Sequence, residues 1–214
     1  SIDTSFNGCG FVILNSQIET VAIQSDGKII VAGTNIVYRM NTDGSLDSSF
    51  GTEGKVAIQI NNFNMTIKSI ALRSDSNFFL AGYVSNGMNT DYAIASLNTD
   101  GSFDTFFDTD GKVTLDLFNY NDFVNDMVIQ NDGKIIITGK AYYSDQSGST
   151  PYKFTTARFN TDGSLDLSFG LNGIVITNFG LSSSSAFAID IQSDGAILIL
   201  GIYSTSKIVL ARYT

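Results

Sequence analysis

The carboxylates are the residues of this chain best placed to do chemistry. Asp116, Asp122 and Asp126 cluster in sequence, as do Asp104, Asp108 and Asp110. Two acids flanking a glycosidic bond are the working parts of most glycan hydrolases. Asn41, Asp43 and Asp47, within NTDGSLDSSFG at Asn41–Gly51, have the look of a calcium loop. The remaining chemistry is narrowed by an omission: the chain has no histidine. That removes Ser–His and Cys–His catalysis, imidazole proton relays and the commonest zinc-ligand sets. Cys9 is the one cysteine, sits between glycines with no basic neighbour to activate its thiol, and has no intrachain partner.

Each candidate also has a plainer role. In the register of a twelve-residue calcium loop, the first ligand falls on Arg39, Ser96 and Arg158, and the closing glutamate on Phe50, Phe107 and Phe169. A cation and an aromatic at those places reject the site, so neither metal nor cofactor is expected. Turn chemistry explains the motif instead: Asn and Asp bond the turn backbone, Gly takes positive φ, and the phenylalanine fills the gap between neighbouring units. Neither aspartate cluster has a spacing that dictates mutual geometry, so these read as solvated loop acids. A carboxylate-dependent glycan hydrolase is kept as the enzymatic alternative to a non-enzyme.

The net charge of −9 argues against a nucleic-acid partner, and no apolar run is long enough for membrane insertion. Only Glu19 and Glu53 are glutamates. Asp26, Asp43, Asp100, Asp110, Asp132, Asp162 and Asp194 precede a glycine, and Asp3, Asp47, Asp104 and Asp166 recur in one connection. These turn positions supply eleven of the 21 acids, so the acidity reports many tight turns more than a ligand.

The elements that must position these residues come from an internal repeat. NTDGSLDSSFG returns as NTDGSFDTFFD at Asn98–Asp108 and NTDGSLDLSFG at Asn160–Gly170, and SIDTSFN at Ser1–Asn7 is its tail. AIQSDGKIIVAG at Ala22–Gly33 returns at Val128–Gly139 and Asp190–Gly201, with a weakened copy, ALRSDSNFFLAG, at Ala71–Gly82. Two motifs alternating in fixed order define four repeats. Each reads as four short strands with hairpins at the Asp-Gly dipeptides, and no helix is signalled. The expected fold is all-β, a β-propeller occupying 1–214 as a single domain. Its strand groups are 20–60, 67–117, 124–177 and 185–213. Arg212-Tyr213-Thr214 aligns with Arg39-Met40-Asn41 and Ser1 with Ser45, so a 3+1 clasp is expected, in which 11–14 completes the last of four blades. A slice of a longer array, or two chains sharing an eight-bladed ring, stays open.

Equivalent positions suggest braces: Arg39, Arg158 and Arg212 against the turn acids Asp47, Asp166 and Asp3, with the second copy unbraced because Ser96 faces Asp104.

SLDxSFGxxGKV, AIQxDGKIIVAG and ARFNTDGSLD together resemble the delta-60 repeat, a bacterial β-propeller repeat domain of unknown function, over essentially the whole chain. The resemblance implies a secreted or cell-surface setting and brings no catalytic residues.

Alternating strand directions put the near-invariant turns on one face and the divergent connections on the other. The divergent face carries Phe63, Phe118, Tyr120, Phe123, Tyr142, Tyr143, Asp145, Tyr152 and Phe179 among Asn, Asp and Ser. Divergent loops on a rigid scaffold are where recognition usually resides. The expected function is therefore a binding or adhesion module that takes a glycan or protein. The alternative is a structural spacer or assembly subunit that self-associates or meets neighbouring domains of a longer chain.

Overall fold

Tight turns order the chain into sixteen strands among the described residues, which in the computed structural model are 1–143, 151–180, 182–204 and 206–214. The first sheet runs β1 (Ile18–Ile23), β2 (Ile29–Gly33), β3 (Ile36–Met40) and β4 (Lys55–Ala57). The second adds β5 (Gln59–Ile60), β6 (Phe63–Leu72), β7 (Phe78–Ser85), β8 (Thr90–Leu97) and β9 (Lys112–Leu115). The third holds β10 (Asp122–Ile129), β11 (Ile135–Tyr142), β12 (Tyr152–Phe159) and β13 (Ile174–Thr177), and the fourth β14 (Ser184–Ile191), β15 (Ile197–Tyr203) and β16 (Lys207–Tyr213). Strands pair antiparallel in sequence order within each sheet. The weakened hairpin keeps the geometry of its siblings, because Ser76 takes φ +69 where Gly27 takes +84. The last stretch of the first strand group, 20–60, is split between two sheets, with Lys55–Ala57 in the first and Gln59–Ile60 in the second. Asn61 and Asn62 both adopt positive φ, which turns Gln59–Ile60 back onto Phe63–Asn64 as a fifth strand of the second sheet.

β1, β6, β10 and β14 are each bulged at one repeated place, where the register shifts at Ile18/Thr20, Ile67/Ser69, Val124/Asp126 and Ala186/Ala188. Opposite each bulge stands the glycine that ends the second motif: Gly33, Gly82, Gly139 or Gly201. The bulge drives a first-strand carbonyl into the space a side chain there would use.

Apolar faces of successive sheets bury each other. Ile30 and Val37 meet Ile67 and Leu80; Phe79 and Ile94 meet Val124 and Ile137; Ile136 and Phe154 meet Ile189 and Ile199. The repeated phenylalanines Phe50, Phe107 and Phe169 are buried in these three layers. Above them lie the ion pairs. Arg39 Nε donates to Asp47 Oδ2 at 2.8 Å, and Arg158 Nε to Asp166 Oδ2 at 2.7 Å, with Lys28 and Lys134 on the same oxygens at 2.9 and 2.8 Å. The arginines also cover Phe50 and Phe169.

Two brace expectations are corrected. The second copy is braced after all, because Arg73, reaching across from the end of β6, meets Asp104 Oδ2 at 3.0 Å, beside the Ser96 hydroxyl, which donates to the same oxygen at 3.2 Å. Arg212 does not reach Asp3: it pairs with Asp194 at 2.7 Å, while Asp3 accepts from Ser5.

The expected clasp is also corrected. Residues 11–14 form no strand, and among the described residues β16 pairs with β15 alone. A short turn at Phe6–Gly8 docks on the first sheet, where Asn7 N donates to Asp43 O at 2.6 Å, repeating the contacts of Gly51 with Asp100 and Asp108 with Asp162. Val12 and Leu14 then pack on Val31, Tyr38 and Met40. The segment thus covers apolar surface of the first sheet and leaves the fourth with three strands. No core cluster among the described residues joins the fourth sheet to the first. Val21 and Ile23 at one end are 63% and 67% exposed, and Ile208 and Leu210 at the other 81% and 65%.

Candidate functional site

The divergent connections meet over the second and third sheets. Tyr142 at the end of β11 and Tyr152 at the start of β12 are paired in register, and their rings lie 4.9 Å apart, edge to face. Tyr120 packs on Tyr142 at 5.6 Å, and Phe123 on Tyr152 at 6.1 Å and on Tyr83 at 5.1 Å. Lys140 lies over the Phe123 and Tyr152 rings. Outside this group Phe118 stands edge-on to Tyr143 at 5.2 Å. Phe118 and Asn119 both have positive φ, +68 and +58, a conformation unusual for a bulky side chain and held here by the turn from Asp116 to Asn119. The Phe118–Tyr143 pair and β13 residues Ile174 and Ile176 line a cleft of about 420 Å³.

Beside the rings, the chain brings three carboxylates together: oxygens of Asp91, Asp116 and Asp122 lie within 4.8 Å of one another. Asp122 opens β10 and is fully buried. Asp91 is 8% exposed near the start of β8, and Asp116 is exposed just after β9. Asp122 Oδ2 accepts from Leu117 N at 2.6 Å and Asp91 Oδ2 from Asn86 Nδ2 at 3.1 Å, while the buried Oδ1 of each has no hydrogen-bond partner. Burial pushes the Asp122 carboxyl up to about 8, the backbone amides of Leu117 and, more weakly, Tyr142 oppose, and the charges of Asp116 and Asp91 push the same way as burial. Asp91 is raised by burial and by Asp116. Around them the loops are stitched: Thr90 N donates to Asn121 Oδ1 at 2.9 Å, and Asn86 Oδ1 accepts from Met88 and Asn89.

The sequence-derived face is thus only partly assembled. Tyr120, Phe123, Tyr142 and Tyr152 form one ring group, and Phe118 and Tyr143 a separate pair outside it. Phe179 belongs to another group, packed on Phe154 at 5.6 Å and Tyr203 at 5.8 Å. Phe63 sits at the first hairpin of the second sheet, exposed and outside the ring cluster. Asp145 lies outside the described residues. Asp126 separates from Asp116 and Asp122, because its carboxylate ties Ser69 of the second sheet to the Ile189 amide of the fourth. Asp104 serves the brace, and Asp110 caps its turn at Lys112 N. Asp91 and Tyr83 escaped sequence reasoning; the one signal was an acid at the head of β8, a strand otherwise rich in small and apolar residues.

With this geometry in place, residues 24–50 and 130–169 match the model of a family described as "Domain of unknown function (DUF5122) beta-propeller". These two stretches are similar to β-propeller repeats of a family of unknown function. The matched stretches hold the Asp26-Gly27 and Asp132-Gly133 hairpins, the Arg39–Asp47 and Arg158–Asp166 braces, and Phe50 and Phe169. A protein of unknown function from Bacteroides caccae is 13% identical with a TM-score of 0.52, over 92% of this chain and 61% of its own. A candidate gluconolactonase is 10% identical with a TM-score of 0.47, over 88% and 60%. A mannose phosphorylase from Leishmania mexicana reaches 12% and 0.29, over 89% and 80%. The first shares the fold; the other two carry no argument. The repeats therefore span 61% and 60% of the first two structures. No curated protein matches. Among the described residues no helix is long and apolar enough to cross a membrane.

Proposed function

We propose that the chain is a non-enzymatic recognition module, of the delta-60 repeat type, of a secreted or cell-surface protein. It takes a glycan or protein on the loop face of its second and third sheets. The observation that supports this reading is the Phe118–Tyr143 pair beside its cleft. Phe118 is 41% exposed on a backbone turn that fixes where its ring points. Rigid aromatic side chains supply contact area at small conformational cost, and their faces suit sugar rings and apolar side chains alike. A glycan array probed with the wild type and with Phe118→Ala tests it. We expect signal from the wild type and at least about a tenfold loss in the variant, the size of a modest hot spot, with melting unchanged. Equal binding by both proteins moves the site elsewhere.

A second reading, an assembly subunit, is favoured by the bare ends. Val21 and Ile23 occupy the positions at which Ile70 and Leu72 pack on the preceding sheet. A second copy placed head to tail would cover them with Leu210 and Ile208. Sedimentation velocity should then show concentration-dependent dimers that Leu210→Glu disperses. A monomer at every concentration sinks this reading.

A further inference from the structure

Two successive gaps between sheets are built on one plan with opposite charges. Ser96 and Arg158 are equivalent, so Asp91 of β8 and Lys153 of β12 hold the same register position. Tyr92 pairs with Leu115 as Phe154 pairs with Thr177, so Asp116 and Asn178, the residues that follow, are equivalent too. In the later gap the Lys153 ammonium, 3% exposed, donates to Asn178 Oδ1 at 3.1 Å and to Gly180 O. A cation built into the chain ties that connection down. In the earlier gap the lysine is replaced by a carboxylate, the amide by a second, and Asp122 supplies a third. None of the three takes part in an ion pair among the described residues. Two of them are more than nine-tenths buried, and each carries a buried oxygen without a hydrogen-bond partner.

We propose that Asp91, Asp116 and Asp122 bind a calcium ion, which serves between the second and third sheets as the Lys153 ammonium serves between the third and fourth. Uncompensated buried carboxylates are costly, and a divalent cation is the direct remedy. The donors are all hard oxygens, which select calcium, magnesium or manganese over zinc or copper. Their separation fits, since two oxygens bound at ~2.3–2.6 Å to one calcium lie at most about 5 Å apart. Calcium accepts irregular geometry from a strand start and a loop, whereas magnesium demands a near-ideal octahedron and keeps its waters. Exposed Asp116 leaves the ion a route in from solvent. The site needs no partner on the loop face, and metal binding is read directly.

The test uses EDTA-stripped protein, calorimetric titration with calcium chloride and thermal melting. We expect one ion per chain, bound at the ~10⁻⁴–10⁻³ M typical of extracellular calcium modules or tighter, and a melting temperature that rises with calcium. Asp116→Asn, at an exposed position, should weaken binding at least about tenfold. Glu53→Gln, an exposed acid elsewhere, should bind as the wild type does. Asp91→Lys is the sharper variant: it should give no calcium response yet melt above the metal-free wild type, because it installs the ammonium of the next gap. The absence of both heat and a melting shift at about 10 mM calcium overturns the proposal, that concentration being well above the expected range. So does Asp116→Asn binding as tightly as Glu53→Gln. Magnesium raising the melting temperature as far as calcium at equal concentration overturns the choice of ion.

Discussion

Asp47→Ala should cost about 3–5 kcal/mol of stability, as expected when one partner leaves a buried ion pair. The loss is that large because Asp47 Oδ2 takes both Lys28 and Arg39, and Oδ1 takes the Ser49 amide and hydroxyl at 3.0 and 2.6 Å. Truncation strands the Arg39 guanidinium at 5% exposure, above the ring of Phe50. Arg39→Met combined with Asp47→Ala should recover much of the loss, since an apolar pair of similar volume has no charge to desolvate. The acid limb provides an independent check. Burial alone would raise the Asp47 carboxyl, but hydrogen bonds from Ser49 and Lys28 and the charge of Arg39 hold it well below the carboxylate range. Lys134 and Ser168 lower Asp166 in the same way. With folded pKa values below the unfolded ~3.9, the stabilisation is complete above that pH and is lost as pH falls through the folded values. In urea titrations the gap between the wild type and Asp47→Ala should therefore begin to narrow below about pH 4 and be clearly smaller at pH 2–3. An equal gap there and at neutral pH would assign the loss to packing instead of charge.

Gly82→Ala should be comparably damaging, by a different mechanism. Gly82 lies opposite the Ile67/Ser69 bulge, and a Cβ there would overlap the Thr66 carbonyl oxygen, which is backbone and has no rotamer to escape into. Gly139 meets the Phe123 carbonyl in the same way. Overpacking in a core costs about 1–3 kcal/mol when side chains can shift; at a bulge between two paired strands the cost should exceed that range. Gly195→Ala is the comparison. Its φ is +85 but nothing lies within 4 Å of its added Cβ, so only the left-handed penalty of about 1–2 kcal/mol applies. Denaturant midpoints should rank Gly82→Ala well below Gly195→Ala. The reverse order would mean that the bulge can relax.

How much of this was legible depended on range. Asp26-Gly27 and Asp43-Gly44 report turns because aspartate bonds the amide two residues on and glycine takes the positive φ, both within one short segment. The buried phenylalanines could be placed because they recur at a fixed offset from those turns. The bulges were invisible, since one extra residue leaves the apolar pattern readable in either register. Arg73 was missed as a brace because Asp104 is its neighbour across strands, not along the chain. For the same reason Asp116 and Asp122 could be noticed together while Asp91, the acid that completes the group, could not. The clasp failed for a related reason. Aligning Arg212 with Arg39 shows where the repeat is cut, but says nothing about which sheet Phe11–Leu14 will cover.

Core packing that, among the described residues, joins each sheet to its immediate neighbours also implies a way of folding. Each sheet forms from consecutive strands, so its contacts are short in sequence and it can nucleate without waiting for distant segments. Its apolar faces then template the next sheet, and order can spread outward from the second and third, which have neighbours on both sides. Opening should run the other way, from the outermost sheets inward. The loops carrying Phe118 and the acid group sit between the two sheets that are last to let go.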